Sequence, residues 1–222
     1  MSSLIDEQIH GISDGSHTFM GPEQVVIDIT NRCNNNCIGC WTRSPLLRDA
    51  APGPSWESME LPIGVLCDLI TDLASIGTER IRFTGGGEPF MHPGLREVVS
   101  LTKAQGMKCA ITTNFTLIGP EEVELMASLP VDELAISLWA ASPQTYSRLH
   151  PNKTERTFHR ICDNLKALIH RKDELPRITI SNVLCAMNYF EFGPMIQFAR
   201  DLGVYAVYFT LIDPVPERTD GL

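Results

Sequence analysis

The sequence predicts an α/β fold in which six parallel strands carry helices on the outside. Two observations point to it. Six short apolar runs rich in β-branched residues recur along the 222 residues, and helical patterns separate them, which is typical of parallel βαβ units. Six units are too few to close an eight-stranded barrel. The residues alone therefore allow an open, partial (β/α)6 barrel or a flat, doubly wound sheet.

The predicted elements alternate along the chain. The strands cover residues 25–30, 80–84, 108–113, 133–138, 177–184 and 206–212. The helices cover residues 62–76, 94–105, 120–128, 155–171 and 192–202. In the first helix, apolar residues at three-to-four spacing predict a buried stripe made of Val65, Leu66, Leu69, Ile70, Leu73 and Ile76. Residues 1–24 form an N-terminal extension, and residues 25–222 form one core domain.

Two connections are longer than ordinary βα loops. Residues 31–60 show no clear periodicity, and residues 139–154 are rich in Ser, Pro, His and Asn. Connections of this length inside a compact domain are usually functional. We therefore expect the first of them to serve as a functional loop or a lid.

Composition and charge exclude several classes of protein. Eighteen basic residues against 27 acidic residues give a net charge of −9, which disfavours binding to nucleic acid. No apolar run is long enough for a membrane span, and the first residues lack the pattern of a secretion signal. The seven cysteines, an odd number, favour a reducing compartment. We expect a cytoplasmic protein without a membrane partner.

Chemically unusual residues follow the ends of the predicted strands. Since the carboxyl ends of parallel strands lie at one edge of the sheet, we expect these residues to meet there. In chain order they are the cysteines Cys33, Cys37 and Cys40, the segment Gly85, Gly86, Gly87, Glu88 and Pro89, then Asn114, Ser137, Trp139, Asn182 and Asn188.

The three clustered cysteines have the spacing C-x3-C-x2-C. Three thiolates can bind zinc or an iron–sulfur cluster, and both groups normally take four protein ligands. The next cysteine and histidine, Cys67 and His92, are distant in the sequence. A four-iron cube on three cysteines keeps one iron open to an outside ligand, which makes it a place for chemistry.

Two segments resemble the radical S-adenosylmethionine (SAM) superfamily. They are VVIDITNRCNNNCIGCW at residues 25–41 and FTGGGEP at residues 83–89, and the resemblance extends over about residues 25–212. It implies an open, partial (β/α)6 barrel and a [4Fe–4S] cluster on Cys33, Cys37 and Cys40 that binds SAM. It further implies cleavage of SAM to a 5′-deoxyadenosyl radical, which abstracts hydrogen from the substrate. We expect a peptide or a small natural product.

The same resemblance assigns roles to further residues. It implies that Gly85, Gly86, Gly87 and Glu88 hold the methionine amino group of SAM. Asn114 and Ser137 would contact its methionyl and ribose groups, and Asn182, with Asn188 beside it, the ribose or adenine. The family commonly has an aromatic residue where this chain has Gly39. Trp41 either supplies that adenine surface or packs under the loop. His150, Lys153 and Arg156 either meet a carboxylate of the substrate or of SAM or, as we expect, lie at the solvated surface.

Two other functions compete with a radical SAM enzyme. One is a non-catalytic iron–sulfur electron carrier or sensor, and the other is a zinc-stabilised binding module. For the enzyme we expect a flavodoxin or ferredoxin-type electron donor, which a basic patch of Arg32, Arg43 and Arg48 would attract. The other four cysteines, Cys67, Cys109, Cys162 and Cys185, are expected to be buried apolar groups, so that the chain holds one cluster.

Overall fold

The computed structural model describes residues 2–16, 20–119, 122–123, 129–170 and 176–213. Its centre is a single sheet of six parallel strands that lie in chain order. The strands are β1 Gln24–Asp28, β2 Arg80–Thr84, β3 Lys108–Thr113, β4 Glu133–Ser137, β5 Arg177–Leu184 and β6 Ala206–Leu211. β1 and β6 lie at opposite edges, so the sheet is open, and the predicted α/β architecture is confirmed.

Helices precede and connect the strands. They are α1 Ser2–Asp14, α2 Pro54–Glu57, α3 Ile63–Ser75, α4 Leu95–Ala104, α5 Pro143–Leu149, α6 Glu155–Ile169 and α7 Phe192–Leu202, with short 3-10 turns at Pro45–Ala50, Pro89–Met91 and Tyr189–Glu191. Most of the predicted helix at residues 120–128 lies outside the described residues. Within the described ranges, no helix has the length and apolar character needed to cross a membrane.

The sequence prediction missed α1, α2 and α5. α5 lies in the Ser- and Pro-rich segment that was expected to be irregular. Its composition reflects a helix start, since the Ser142 side chain accepts a hydrogen bond from the Thr145 N–H and Pro143 begins the helix. The Glu191 carboxylate supports this start by accepting hydrogen bonds from the Ala141 N–H and the hydroxyls of Ser142 and Thr145.

Side chains on the two faces of the sheet differ in character. Successive residues of a strand point to opposite faces, and the apolar ones pack beneath the helices. The buried residues of this outer face include Ile27, Ile81, Phe83, Ile111, Leu134, Ile136, Ile178 and Ile180, which join Leu66, Ile70, Val98, Leu165 and Leu168 of the helices in one core. The other face is lined mainly by polar side chains.

The buried stripe of α3 is narrower than predicted. Leu66, Ile70 and Leu73 are buried, but Val65 is 52% exposed and Ile76 is 49% exposed. The core buries a single row at i, i+4 and i+7, and Leu69 and Ala74 are partly buried beside it. Of the four scattered cysteines, Cys109, Cys162 and Cys185 are buried as predicted, whereas Cys67 on α3 is only partly buried.

Two valine truncations on neighbouring helices test this boundary of the core. Val98→Ala in α4 removes fully buried methyl groups, so we expect the free energy of unfolding to fall by about 2 kcal/mol. The matched change Val65→Ala in α3 removes exposed methyl groups and should cost less than about 0.5 kcal/mol. Chemical denaturation measures both, and equal losses would place Val65 in the core.

Candidate functional site

A cavity of about 500 Å³ lies at the carboxyl ends of the strands. Its lining brings together almost every residue that the sequence analysis predicted for the site. They are Cys33, Cys37, Cys40, Trp41, Gly85, Gly86, Gly87, Glu88, Asn114, Ser137 and Trp139, to which the structure adds Val183, Thr210 and Ile212. Asn182 does not line the cavity.

The loop that carries the cysteines turns its own backbone toward their sulfur atoms. The Asn35 N–H lies 3.4 Å from Cys33 Sγ, and the Arg43 N–H lies 3.3 Å from Cys40 Sγ. Backbone donors at these distances favour thiolates, since a hydrogen bond to the charged form stabilises it. The backbone of the loop thus already supplies one hydrogen bond to each of two of the three sulfur atoms, those of Cys33 and Cys40.

Burial, in contrast, disfavours the thiolate form of Cys33 and Cys37. Burial, with Cys40 and Cys33 nearby, raises the pKa of Cys37 to about 12, and burial also raises the pKa of Cys33. A thiol is a metal ligand only as the thiolate, so a cation must offset the charge before this set ionises. In the described part of the chain, no three His, Cys, Asp or Glu side chains are grouped around a single metal ion position. The thiols instead border a wide cavity, which suits a multi-iron group.

The loop is also bound to a distant part of the chain. The Asn36 N–H donates to Asn152 Oδ1 at 3.3 Å, and the Asn152 N–H donates in return to Asn36 Oδ1 at 2.9 Å. Lys153 Nζ and Asn152 Nδ2 both donate to the Asn34 carbonyl, at 2.6 and 3.0 Å. Lys153 was expected at the solvated surface, but its ammonium group instead fixes the cysteine loop.

Two of the three glycines after β2, Gly85 and Gly87, are required by a close approach of two backbones. A Cβ on Gly87 would lie 2.0 Å from the Arg32 carbonyl oxygen, and one on Gly85 would lie 2.5 Å from that of Thr30. The Glu88 N–H donates to the same Arg32 oxygen at 2.7 Å. None of the three glycines has a positive φ, so what matters here is the missing side chain.

Glu88 is buried and faces β3. Its carboxylate accepts hydrogen bonds from the Thr113 hydroxyl at 2.7 Å, the Asn114 N–H at 2.7 Å and the Phe90 N–H at 3.2 Å. Burial raises the pKa of Glu88 to about 7, against these hydrogen bonds, which lower it. The carboxylate therefore connects the glycine turn to the end of β3.

Asn114 joins the end of β3 to the cysteine loop. Its Nδ2 donates to Asn34 Oδ1 at 3.0 Å and lies 3.9 Å from Cys33 Sγ, while its Oδ1 accepts from the Thr116 N–H and hydroxyl. Its amide thus holds the loop beside the first cysteine. Ser137, at the end of β4, lines the cavity.

The structure does not bring Asn182 to the cavity, because its position in β5 places it on the other face of the sheet. Asn182 lies on the same outer face of β5 as Ile178 and Ile180, and it is fully buried there. Neither of its side-chain polar atoms has a hydrogen-bond partner among the described residues. The neighbouring Val183 points to the cavity instead. Asn188 is buried too, and its Nδ2 donates to the Trp139 carbonyl at 2.9 Å.

Trp139 occupies the cavity wall where sequence analysis considered Trp41. Trp41 borders the cavity but is 66% exposed. Trp139 has a φ of 64°, an uncommon conformation for a residue with a side chain. A Cβ on Gly39 would lie 2.7 Å from Ile212 Cδ1 and 3.5 Å from Trp139 Cζ3, so the space beside the third cysteine is already filled. This contact between distant strands leaves no local signal in the sequence.

Two further expectations about charged residues need correction. His150 is buried rather than solvated, since its ring stacks on Tyr146 at 4.2 Å and lies 5.6 Å from Trp139. Burial lowers the pKa of His150 to about 4, which keeps the ring neutral. Arg43 binds Glu57 at 3.2 Å and the Asn31 carbonyl at 2.8 Å inside the loop, so it adds no free charge to a docking patch. Arg156 is exposed, as expected.

The family model of the Radical SAM superfamily matches residues 27–199. The chain therefore belongs to the radical SAM superfamily, which implies the use of SAM and an iron–sulfur cluster. This membership favours the enzyme over the electron carrier and the zinc module.

Individual relatives cover a range of named functions. The chain is 27% identical over 195 residues to the AdoMet-dependent heme synthase of Methanosarcina barkeri, covering 87% of this chain and 51% of the relative. It is 26% identical over 202 residues to the subtilosin biosynthesis protein AlbA of Bacillus subtilis, covering 90% and 42%. The chain thus spans about half the length of these relatives.

Solved structures share the fold. SuiB of Streptococcus suis, solved with bound S-adenosylmethionine, matches with a TM-score of 0.76 at 15% sequence identity, covering 99% of this chain and 47% of SuiB. At this identity the likeness concerns the fold alone, and it agrees with the partial barrel predicted from the sequence.

Substitution of Gly87 tests the backbone contact with the cysteine loop. In Gly87→Ala the new methyl group overlaps the Arg32 carbonyl, so the loop must move. We expect iron bound after anaerobic reconstitution to fall by at least about half, because Arg32 directly precedes Cys33. Gly64→Ala is the control, since a Cβ there meets no atom within 4 Å. Equal iron contents in the two variants would contradict the required contact.

Glu88→Gln tests the buried carboxyl. The pKa of Glu88 rises from 4.5 unfolded to about 7 folded, so its ionisation destabilises the fold progressively between these pH values. We expect the stability difference, wild type minus Glu88→Gln, to fall by about 3 kcal/mol from pH 4.5 to pH 7. Denaturation of the iron-free proteins measures it, and a difference that is constant with pH would contradict the raised pKa.

Proposed function

We propose that this protein is a radical SAM enzyme whose [4Fe–4S] cluster is held by Cys33, Cys37 and Cys40. The observation that carries the proposal is the position of these three thiols on one cavity with the glycine turn after β2. The raised pKa values of Cys33 and Cys37, and the backbone donors to Cys33 and Cys40, suit a set of ligands that ionises when a cationic group binds.

When bound, the cluster supplies the electron that cleaves SAM to methionine and a 5′-deoxyadenosyl radical. The chain's own residues position SAM and limit its contact with water. Gly85 and Gly86 line the cavity, and a backbone without side chains there suits the methionine amino group, while Ser137 offers a hydroxyl. Trp139 and Ile212 offer an apolar wall for the adenine ring, in the role that was expected of Trp41.

A peptide or a small natural product is the proposed substrate. AlbA is named for the biosynthesis of the bacteriocin subtilosin, and SuiB has been solved with the precursor peptide SuiA. Both likenesses extend over most of this chain. We also propose a cytoplasmic location and a flavodoxin or ferredoxin-type electron donor. Arg32 and Arg48 are exposed arginines of the cysteine loop. Arg32 is paired with Glu60 at 3.4 Å, so Arg48 is the better candidate to meet such a donor.

Anaerobic reconstitution tests the enzyme directly. The protein is loaded with iron and sulfide, mixed with SAM and reduced with dithionite, and 5′-deoxyadenosine is measured. We expect its formation by the wild type and loss of at least about 100-fold in Cys33→Ala, Cys37→Ala and Cys40→Ala, since two thiolates cannot hold the cluster in place.

Cys67→Ala is the matched control, because Cys67 lies on α3, away from the cavity, and is only partly buried. It should keep both the iron and the activity. A stable cluster that forms no 5′-deoxyadenosine would favour the electron carrier, and tight binding of zinc without iron would favour the zinc module. Activity in any of the three cavity variants would overturn the ligand assignment.

A further inference from the structure

The face of the sheet that borders the cavity is polar. Interiors of closed (β/α)8 barrels are filled with branched apolar side chains. Here Thr84, Thr112, Ser137 and Val183 line the cavity, and residues at intervals of two along the same strands share their face. Most of the residues on this face of β2 to β5 that lie below the cavity are polar or charged, and the exceptions are Ala110 and Ala135. The polar and charged ones are Arg80, Arg82, Lys108, Glu133, Arg177, Thr179 and Ser181.

An ion-pair network lies directly below the cavity. Glu133 accepts from Arg80 Nη1 at 2.7 Å through one carboxylate oxygen and from Arg82 Nη2 at 3.1 Å through the other. Arg82 Nη1 lies 3.4 Å from the hydroxyl of Thr112, which lines the cavity itself. Only the Thr112 side chain thus separates Arg82 from the cavity. The single negative charge of Glu133 neutralises only one of the two guanidinium charges of Arg80 and Arg82.

The charge of this face is opposite in sign to that of the whole chain. Its strand positions carry four basic residues against two acidic ones, Asp28 and Glu133, in a chain of net charge −9. The face is also open to solvent, since Val26, paired in register with Arg82, is 54% exposed and the Arg82 side chain is 25% exposed. A solute can reach the guanidinium groups.

We propose that Arg80, Arg82, Lys108, Glu133 and Arg177 form a basic chamber that binds a carboxylate of the substrate. The proposal deepens and rests on the proposed function, because a substrate must approach the cavity from a neighbouring surface. Guanidinium groups match carboxylates in shape and charge and bind them with paired hydrogen bonds. In the free protein the Glu133 carboxylate is paired with Arg80 and Arg82. It therefore competes with an incoming carboxylate, and only an acidic group can replace it.

Titration calorimetry with a simple dicarboxylate tests the chamber without turnover. The oxidised, cluster-loaded protein is saturated with SAM, and glutarate is added, with its neutral diamide glutaramide and inorganic phosphate as comparison probes. We expect glutarate to bind and glutaramide not to bind. Arg82→Gln should weaken glutarate about tenfold, as the loss of a charge-assisted pair predicts. Glu133→Gln should strengthen binding severalfold, because it removes the competing carboxylate.

The opposite effects of these two variants separate recognition from a structural role. If the network only supports the barrel, both changes weaken binding alike, and the proposal fails. Arg96→Gln, at an exposed position of α4, is the charge-matched control and should leave the affinity unchanged. Tighter binding of phosphate than of glutarate would overturn the assignment to a carboxylate, as would equal binding of glutaramide. Competition by SAM for the same site would also overturn it.

The proposed function and the chamber can fail independently. Glutarate binding that depends on Arg82, in a protein that forms no 5′-deoxyadenosine, would overturn the enzyme and leave the chamber. Formation of 5′-deoxyadenosine without any effect of Arg82→Gln on glutarate binding would overturn the chamber alone.

Discussion

The candidate site depends on one contact between two backbones. The glycine turn after β2 lies against residues 30–32, where the Arg32 carbonyl accepts from the Glu88 N–H and no side chain fits at Gly87. Arg32 immediately precedes the first of the three cysteines. The position of the thiols therefore follows from the ends of β1 and β2, and Glu88 extends the same connection to β3 through Asn114.

Alternation along the strands separates stability from chemistry. The outward side chains form an apolar core with the helices, while the inward ones surround the cavity and the ion pairs below it. Substitutions on one face can therefore change recognition with little effect on the core of the other. Asn182 is an exception, because its polar side chain lies on the apolar face and has no hydrogen-bond partner in the described part of the chain.

Local patterns in the sequence predicted the features that depend on local structure. The six strands, the cysteine spacing and the glycine turn each rest on neighbouring residues, and all three lie where they were expected. The errors concern contacts across the sheet. The side of β5 on which Asn182 lies changes with a shift of one residue. Trp139 lies at the expected edge, but its position beside Ile212, 73 positions later in the sequence, was not predicted. His150 is buried through ring contacts that no periodicity reveals.

The reciprocal pair of Asn36 and Asn152 has a consequence for the order of events during synthesis. The two residues are separated by 116 positions, so the pair forms only after the ribosome has released the chain through β4 and α5. Closing so long a segment costs entropy that only the docked strands can offset. All three thiols emerge early, yet the loop that orients them is completed late. Assembly of the proposed cluster on this loop would thereby wait for a chain that already contains β1 to β4, rather than begin on the nascent N-terminal segment.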